Sequence, residues 1–164
     1  MSSSAAETIT VDYLNPVIES LEKTFEISCS MQIARTGLQL MENNQALQPI
    51  SGIIGVSGRA VGTIVLSLGT DVAKYAAKMM LMLDEMPPEV DDDVMDVVGE
   101  LTNMVTGGAK AKLEEYHLSM SLPNVLCGDN CRLHFPSNCR PIAIPFKCEW
   151  GELALQVGFT FHKK

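Results

Sequence analysis

The sequence predicts an α+β domain in which a long helix packs against an antiparallel sheet. One observation behind this is the segment Val94–Tyr116, where apolar residues recur at three- and four-residue steps, as on one face of a helix. Another is the near-strict alternation of apolar and polar residues over 142–148 and 153–161, which is typical of half-buried strands joined by a hairpin turn. Taken in order, the elements are a helix, three strands, two helices and three strands. This order is a loose internal repeat of a helix plus three strands.

Length and composition favour one globular domain with an acidic surface. The 164 residues, of which 46% are hydrophobic, are enough to bury a substantial core. A net charge of −8 argues against nucleic acid and anionic membranes as partners. No apolar run approaches the roughly 18 residues of a membrane span, and the N-terminus lacks the pattern of a secretion signal. We therefore expect a cytoplasmic protein with a flexible tail over 1–9 and a single domain over 10–164.

The first half of the chain contains the first predicted helix, three strands and a second helix. Three strands are predicted over Met31–Leu40, with a bulge at Gly37, and over Pro49–Val56 and Ala60–Leu68, the last two joined by a hairpin turn. A helix over 70–83 follows. The apolar residues of the first helix recur at helical spacing: Val11, Leu14, Ile18, Leu21 and Phe25.

The second half begins with the long helix, predicted over Pro88–His117 with a length of about 45 Å. Acidic residues crowd its first turns, where negative charge complements the helix dipole. A metal site is the less favoured interpretation of this cluster. A strand over Ser119–Cys127 and a loop over Gly128–Arg140 precede the final hairpin. The acidic residues are Asp91, Asp92, Asp93 and Asp96.

The long helix also has a polar stripe opposite its apolar one. Glu100 and Asn103 are three residues apart, so their side chains are neighbours on this face. Gly107 follows one turn later, and glycine within a helix costs about 1 kcal/mol relative to alanine. Its lack of a side chain would let the backbone of a partner come close, whereas Gly108 points to the packed side and would let another helix cross. From the residues alone, a solvated helix face is favoured over a binding site. The stripe consists of Asp96, Glu100, Asn103, Gly107 and Lys110.

Other site chemistries find little support in the sequence. Four of the five cysteines lie near His134, which suggests zinc, but no C-x2-C knuckle is present and reduced structural thiols are favoured. The three histidines are dispersed, with no motif that places a serine or cysteine beside them. Neither nucleotide-binding glycine motif is present. The cysteines are Cys29, Cys127, Cys131, Cys139 and Cys148.

The motif ELTN at 100–103, continued by MVTGGAKAKLEEYHLSMSLPNVLCG, resembles the CheX/CheC family of bacterial chemotaxis phosphatases. A glycine-punctuated hairpin leading into a helix, IIGVSGRAVGTIVLSLGTDVAKYAAKMML, resembles the same family, and the resemblance runs from about Leu14 to Phe161. It implies the pseudo-symmetric fold of that family. The positions that match the family signature are Glu100, Asn103, Gly107, Gly108, Ser121, Leu122, Pro123, Val125 and Gly128.

The resemblance implies a phosphatase that acts in trans on the phospho-aspartate of a CheY-type response regulator. Asn103 would place the attacking water, and Glu100 would pair with a lysine of the receiver domain. Asp96, Gly107 and Lys110 would contact the partner. No cofactor is expected in this chain, because the Mg²⁺ belongs to the response regulator. The first helix shows no second Glu-x-x-Asn pair, so the chain resembles the single-site CheX type.

The alternative function is a non-catalytic interaction module, since flagellar switch proteins share the fold and serve partly as scaffolds. The intact Glu100 and Asn103 favour the phosphatase, and both side chains are expected to be solvent-exposed above a six-strand sheet. A homodimer is also expected. The long C-terminal strands would otherwise leave open edges, and the CheX-type relatives that the sequence resembles form dimers through sheet contacts.

Overall fold

A computed structural model describes the backbone of residues 3–161 and the side chains of residues 12–161. The described chain forms three helices, a 3₁₀ turn and one antiparallel sheet, which confirms the α+β class. None of its helices is long and apolar enough to cross a membrane. The helices are α1 (Ser3–Cys29), α2 (Thr70–Met80) and α3 (Asp92–Lys112), and the 3₁₀ turn is Glu114–Tyr116. The strands are β1 (Ala34–Arg35), β2 (Gln39–Leu40), β3 (Ile50–Ser57), β4 (Ala60–Leu68), β5 (Ser119–Met120), β6 (Asn124–Cys127), β7 (Ile142–Cys148) and β8 (Gly151–Phe161).

The order of the strands reflects the internal repeat. The sheet runs β1-β7-β8-β4-β3-β5, with β2 beside β7 and β6 beside β3. At its centre β4 and β8 pair from Ala60 opposite Phe161 to Leu68 opposite Leu153. On either side lie the hairpin partner and then two short strands, so the sheet has the same arrangement when read from either edge. The predicted repeat of a helix plus three strands is therefore confirmed, although each short strand is divided in two.

Two prolines explain why the sheet has eight strands rather than the six predicted. The predicted strand over Met31–Leu40 becomes β1 and β2, which pair with β7 on either side of Pro145. Proline has no N–H to donate, so the ladder is interrupted there. The predicted strand over Ser119–Cys127 is likewise divided before Pro123, where the Ser121 hydroxyl instead accepts a hydrogen bond from the Gly55 N–H at 3.0 Å.

The long helix is shorter than predicted. It covers 21 residues rather than Pro88–His117, which corresponds to about 31 Å. Asp91 caps its N-terminus, because the Asp91 carboxylate accepts a hydrogen bond from the Val94 N–H at 2.9 Å. At the other end the chain leaves the helix at Leu113 and continues as the 3₁₀ turn. Helix α2 also ends early, at Met80, since Met82 has a left-handed backbone conformation.

The N-terminal segment and the sheet edges bear on two other expectations. Helix α1 begins at Ser3, within the segment predicted as a tail, and the flexibility of 1–9 stays a prediction. The premise of the dimer prediction is wrong, because β7 and β8 both lie inside the sheet. The edges are instead the short strands β1, β2, β5 and β6. The homodimer itself stays a prediction, to be checked by light scattering at tens of micromolar.

Helix α3 is held between the sheet and α1 by close contacts. A side chain at Gly52 would collide with Thr102, so this glycine lets α3 lie directly on β3. A side chain at Gly108 would collide with Ser20, whose hydroxyl donates to the Val105 carbonyl at 2.7 Å. The expected helix crossing at Gly108 is confirmed, and the crossing helix is α1. The predicted apolar stripe is buried at Val94, Val98, Leu101, Val105, Ala109 and Leu113, and Tyr116 is half-buried.

Candidate functional site

The polar stripe of α3 faces away from the core. Asp96, Glu100 and Lys110 are exposed, whereas Asn103 and Gly107 are half-buried. The five positions are separated by four, three, four and three residues, so they form one continuous row along the helix. The structure thus confirms that the row lies opposite the buried stripe. Asn103 was expected to be solvent-exposed, but it is only partly so, because α1 packs alongside this part of α3.

Glu100 lines a groove between α3 and β6. Gly99 forms its floor, since a side chain there would lie 3.3 Å from the Val125 side chain. The opposite wall is formed by Pro123, Asn124 and Val125. The Ser121 bond to β3 fixes the start of this segment. Asp92 and Asp96 line the same groove, which makes it acidic along the helix side.

Asn103 lines a different groove, between α3 and α1. Glu100 and Asn103 therefore sit on the two flanks of one helical ridge, each facing its own groove. Within residues 12–161 neither side chain has a hydrogen bond or ion pair, so both polar ends are free to meet a partner. The groove holds about 660 Å³ and is lined by Ser20, Lys23, Thr24, Ile27 and Ser28 of α1, and by Asn103, Met104, Gly107, Gly108, Ala111 and Lys112 of α3.

Gly107 leaves the ridge bare beside Asn103. A side chain there would meet no atom within 4 Å, so no packing constraint within the described chain requires a glycine. Lys110 lies beyond Gly107, and both line a third depression together with His117. A partner's backbone can therefore approach α3 closely between the amide of Asn103 and the ammonium of Lys110.

The chemistry available on this ridge is that of an amide and a carboxylate. The Asn103 amide can both donate and accept hydrogen bonds, and the Glu100 carboxylate can accept them from a cationic side chain. Such groups can orient a water molecule and hold a partner in register.

Burial raises the pKa of the Cys29 thiol, at the end of α1, to about 12, so this thiol is protonated at neutral pH. Among the described residues no cluster of three or more metal-ligating side chains occurs.

The sequence predicted the polar row on α3, but it did not predict that α1 forms the other wall of the groove beside Asn103. Lys23 and Ile27 face the groove that contains Asn103. The sequence did contain a signal, because Ile27 does not fall on the predicted apolar face of the first helix. In the structure its side chain is 69% exposed. Which element packs next to Asn103 depends on the helix crossing, and periodicity within one helix does not reveal it.

The chain is similar to known proteins both in its family signature and in its fold. The family model described as chemotaxis phosphatase CheX matches residues 50–147. A CheC-like superfamily protein from Shewanella sp. PV-4 is 31% identical, with a TM-score of 0.83 over 92% of this chain and 98% of that one. The chemotaxis protein CheX from Vibrio vulnificus is 28% identical, with a TM-score of 0.81 over 90% and 99%. No curated protein matched the sequence significantly.

One more distant structure shares the fold. A CheX–CheY–BeF₃–Mg²⁺ complex from Borrelia burgdorferi gives a TM-score of 0.73 at 16% identity, over 90% of this chain and 97% of that one. At this identity the likeness concerns the fold alone. Together these comparisons confirm the CheC/CheX-like architecture expected from the sequence.

Proposed function

Because this chain belongs to the family of the chemotaxis phosphatase CheX, we propose that it is a cytoplasmic phosphatase of two-component signalling. Its substrate would be the aspartyl phosphate of a CheY-type response regulator. The single observation that carries the proposal is the ridge of α3, where Glu100 and Asn103 lie side by side with no partner in residues 12–161. Groups that are free in the isolated chain are available to act on a second protein.

Asn103 is assigned to the attacking water. Hydrolysis forms a bond between the water oxygen and phosphorus and breaks the bond from phosphorus to the aspartyl oxygen, which releases phosphate and regenerates the carboxylate. Such transfer needs an oriented nucleophile and stabilised charge more than covalent help. The Asn103 amide can accept a hydrogen bond from the water and fix its approach. Its half-buried position restricts the side chain, which supports a positioning role.

Glu100 is assigned to docking. Its exposed carboxylate can pair with the lysine of the receiver domain and so set the register of the complex. Because Glu100 is one turn of helix from Asn103, this pairing would bring the phosphoryl group to the amide.

The rest of the row is assigned to contacts with the same partner. Gly107 would admit the receiver backbone, since no atom of the described chain lies within 4 Å of the position a side chain would take. Lys110 and Asp96, at the two ends of the row, would contact complementary charges. These contacts contribute mainly to orientation, because exposed ion pairs are worth at most about 1 kcal/mol each.

The choice of partner is supported by the Borrelia burgdorferi complex, in which a CheX of the same fold is bound to CheY with BeF₃ and Mg²⁺. In the proposed reaction Mg²⁺ would be held by the receiver, where it would supply positive charge beside the phosphoryl group. This chain contributes the side chains of the ridge.

The proposal is tested by phosphate release from a ³²P-labelled CheY-type receiver domain with Mg²⁺ present. We expect catalytic amounts of the wild type to accelerate release well above the intrinsic rate of the receiver. The double variant Glu100→Ala/Asn103→Ala should leave the intrinsic rate unchanged while retaining the wild-type melting temperature. A wild type that binds phosphorylated receivers without accelerating release would contradict the phosphatase and favour the scaffold.

A further inference from the structure

The ridge of α3 is too small to account for a stable complex. From Asp96 to Lys110 the row covers about 21 Å of helix, and a helix is about 10 Å wide. The area is thus on the order of 200 Å², whereas a standard interface buries about 800 Å² on each partner. A receiver domain that reaches Asn103 must therefore also cover one of the grooves beside α3.

Charge distinguishes the two grooves. The groove toward β6 carries the carboxylates of Asp92 and Asp96 beside Glu100. The groove toward α1 carries Lys23 and Lys112. A phosphorylated receiver site is anionic, so the groove toward α1 is the complementary one.

Lys23 is the available cation of that groove. Lys112 is already paired, because its ammonium lies 2.6 Å from the Glu19 carboxylate. Lys23 has no ion pair within residues 12–161 and is exposed on α1. In a chain of net charge −8, an unpaired lysine facing the groove that holds Asn103 is a suitable contact for an anionic surface.

Ile27 supplies an apolar contact next to this charge. It is 69% exposed, and no other large hydrophobic side chain in the described parts of the three helices is exposed. It lies four residues after Lys23, so the two side chains share one face of α1. Met104 lies on the opposite wall of the groove. An apolar anchor inside a polar rim is the common composition of a docking surface.

We propose that the groove between α1 and α3 is the second half of the docking surface for the phosphorylated receiver domain, with Ile27 as its apolar anchor and Lys23 as its cation. This rests on the proposed function, since it names further contacts of the same partner. These residues do not touch the reacting atoms. They bind the substrate and the transition state equally, so they determine affinity and KM rather than the turnover of the bound complex.

The test measures binding separately from turnover. The probe is a CheY-type receiver domain loaded with beryllofluoride and Mg²⁺, titrated against the wild type, Ile27→Asp and Lys23→Glu. The matched control is Leu38→Asp, because Leu38 is also exposed but lies next to the edge strands β1 and β2. We expect Kd to rise at least about tenfold for Ile27→Asp and several-fold for Lys23→Glu, with no change for the control. At saturating phosphorylated receiver, kcat should remain within about twofold of wild type for both variants.

Several results would overturn the inference. If Ile27→Asp bound the loaded receiver with unchanged affinity, Ile27 would not be an apolar anchor. If kcat at saturating receiver fell, Ile27 would affect the chemical step rather than docking. A dimer that becomes monomeric in Ile27→Asp, at unchanged receiver affinity, would assign the groove to a second copy of this chain. Absence of binding by the wild type to every receiver would also sink it. Conversely, binding that depends on Ile27 but is followed by no phosphate release would uphold the docking surface and refute the phosphatase.

Discussion

Helices α1 and α3 occupy equivalent places in the two halves of the molecule and cross where Ser20 meets Gly108. When they are aligned on this contact, six buried residues of α1 fall on six buried residues of α3, whereas buried Thr24 falls on exposed Lys112. Both helices therefore use the same periodicity to cover the same sheet. The aligned buried residues are Tyr13, Leu14, Val17, Ile18, Leu21 and Phe25 in α1, and Leu101, Thr102, Val105, Thr106, Ala109 and Leu113 in α3.

The outward faces differ. Asp12 and Asn15 align with Glu100 and Asn103, so α1 also carries an acid and an amide three residues apart. The next position, however, is Glu19 in α1 and Gly107 in α3. Glu22 then aligns with Lys110, which reverses the charge. The row on α3 is thus open and partly cationic, whereas the row on α1 is filled and acidic.

Local contacts reinforce the difference on α1. The Glu19 carboxylate is tied to Lys112 at 2.6 Å, which places a charged side chain where α3 has bare backbone. The pKa of the Tyr116 hydroxyl is raised, first by burial and then by the nearby carboxylates of Glu115 and Asp12. We therefore expect that an acid and an amide at the right spacing are not sufficient, and that the neighbouring position decides whether an anionic partner can reach them.

The largest expected effect follows from removing the amide on the open side. Asn103→Ala should lower kcat by about 10²–10³, or about 3–4 kcal/mol, since a group that orients water acts mainly in the transition state. The affinity for the beryllofluoride-loaded receiver should change little. Phosphate release under saturating receiver is the measurement, with thermal melting to verify the fold. Activity above a tenth of wild type would contradict the role of Asn103.

The next effect comes from making α3 resemble α1. Gly107→Glu introduces the carboxylate that α1 has at Glu19, and should lower kcat/KM more than tenfold through repulsion of the phosphorylated site. Gly107→Ala is the matched control, because it fills the space without charge. Both variants should melt higher than wild type, with alanine adding up to about 1 kcal/mol, or about 2–4 °C. Equal activity of the two variants would show that the charge at this position is irrelevant.

A smaller effect is expected from the docking carboxylate. Glu100→Ala should weaken binding of the loaded receiver about two- to fivefold, in keeping with an exposed ion pair of up to about 1 kcal/mol. Because a lost register also misplaces the phosphoryl group, kcat should fall together with affinity. Titration and single-turnover release, measured on the same preparation, separate the two. If only kcat changed and the affinity did not, Glu100 would act in the chemical step rather than in docking.

The comparison also shows what the sequence could predict. The helical periodicity of the sequence was enough to predict the buried stripe of α3 and the polar row that carries Glu100 and Asn103, because both depend on spacing within one helix. The helix crossing at Gly108 was predicted only because Gly108 points to the packed side of α3. The division of two strands was missed because pairing depends on a distant partner, as where Pro145 in β7 separates β1 from β2. The half-burial of Asn103 was missed for the same reason, since it depends on α1.

The smallest expected effect is the most direct test of the comparison. Asn15→Ala removes the amide of α1 that aligns with Asn103, and the substitution is chemically identical to Asn103→Ala. If the neighbouring Glu19 and the acidic surroundings exclude a phosphorylated receiver, kcat, KM and receiver affinity should all stay within about twofold of wild type. Stability should change by less than about 0.5 kcal/mol, because Asn15 is exposed. The sensitive measurement is made in the Asn103→Ala background, where any remaining catalysis by α1 would dominate the signal. A further loss of activity in Asn15→Ala/Asn103→Ala, relative to Asn103→Ala alone, would show that α1 carries a working second site and that Glu19 does not close it.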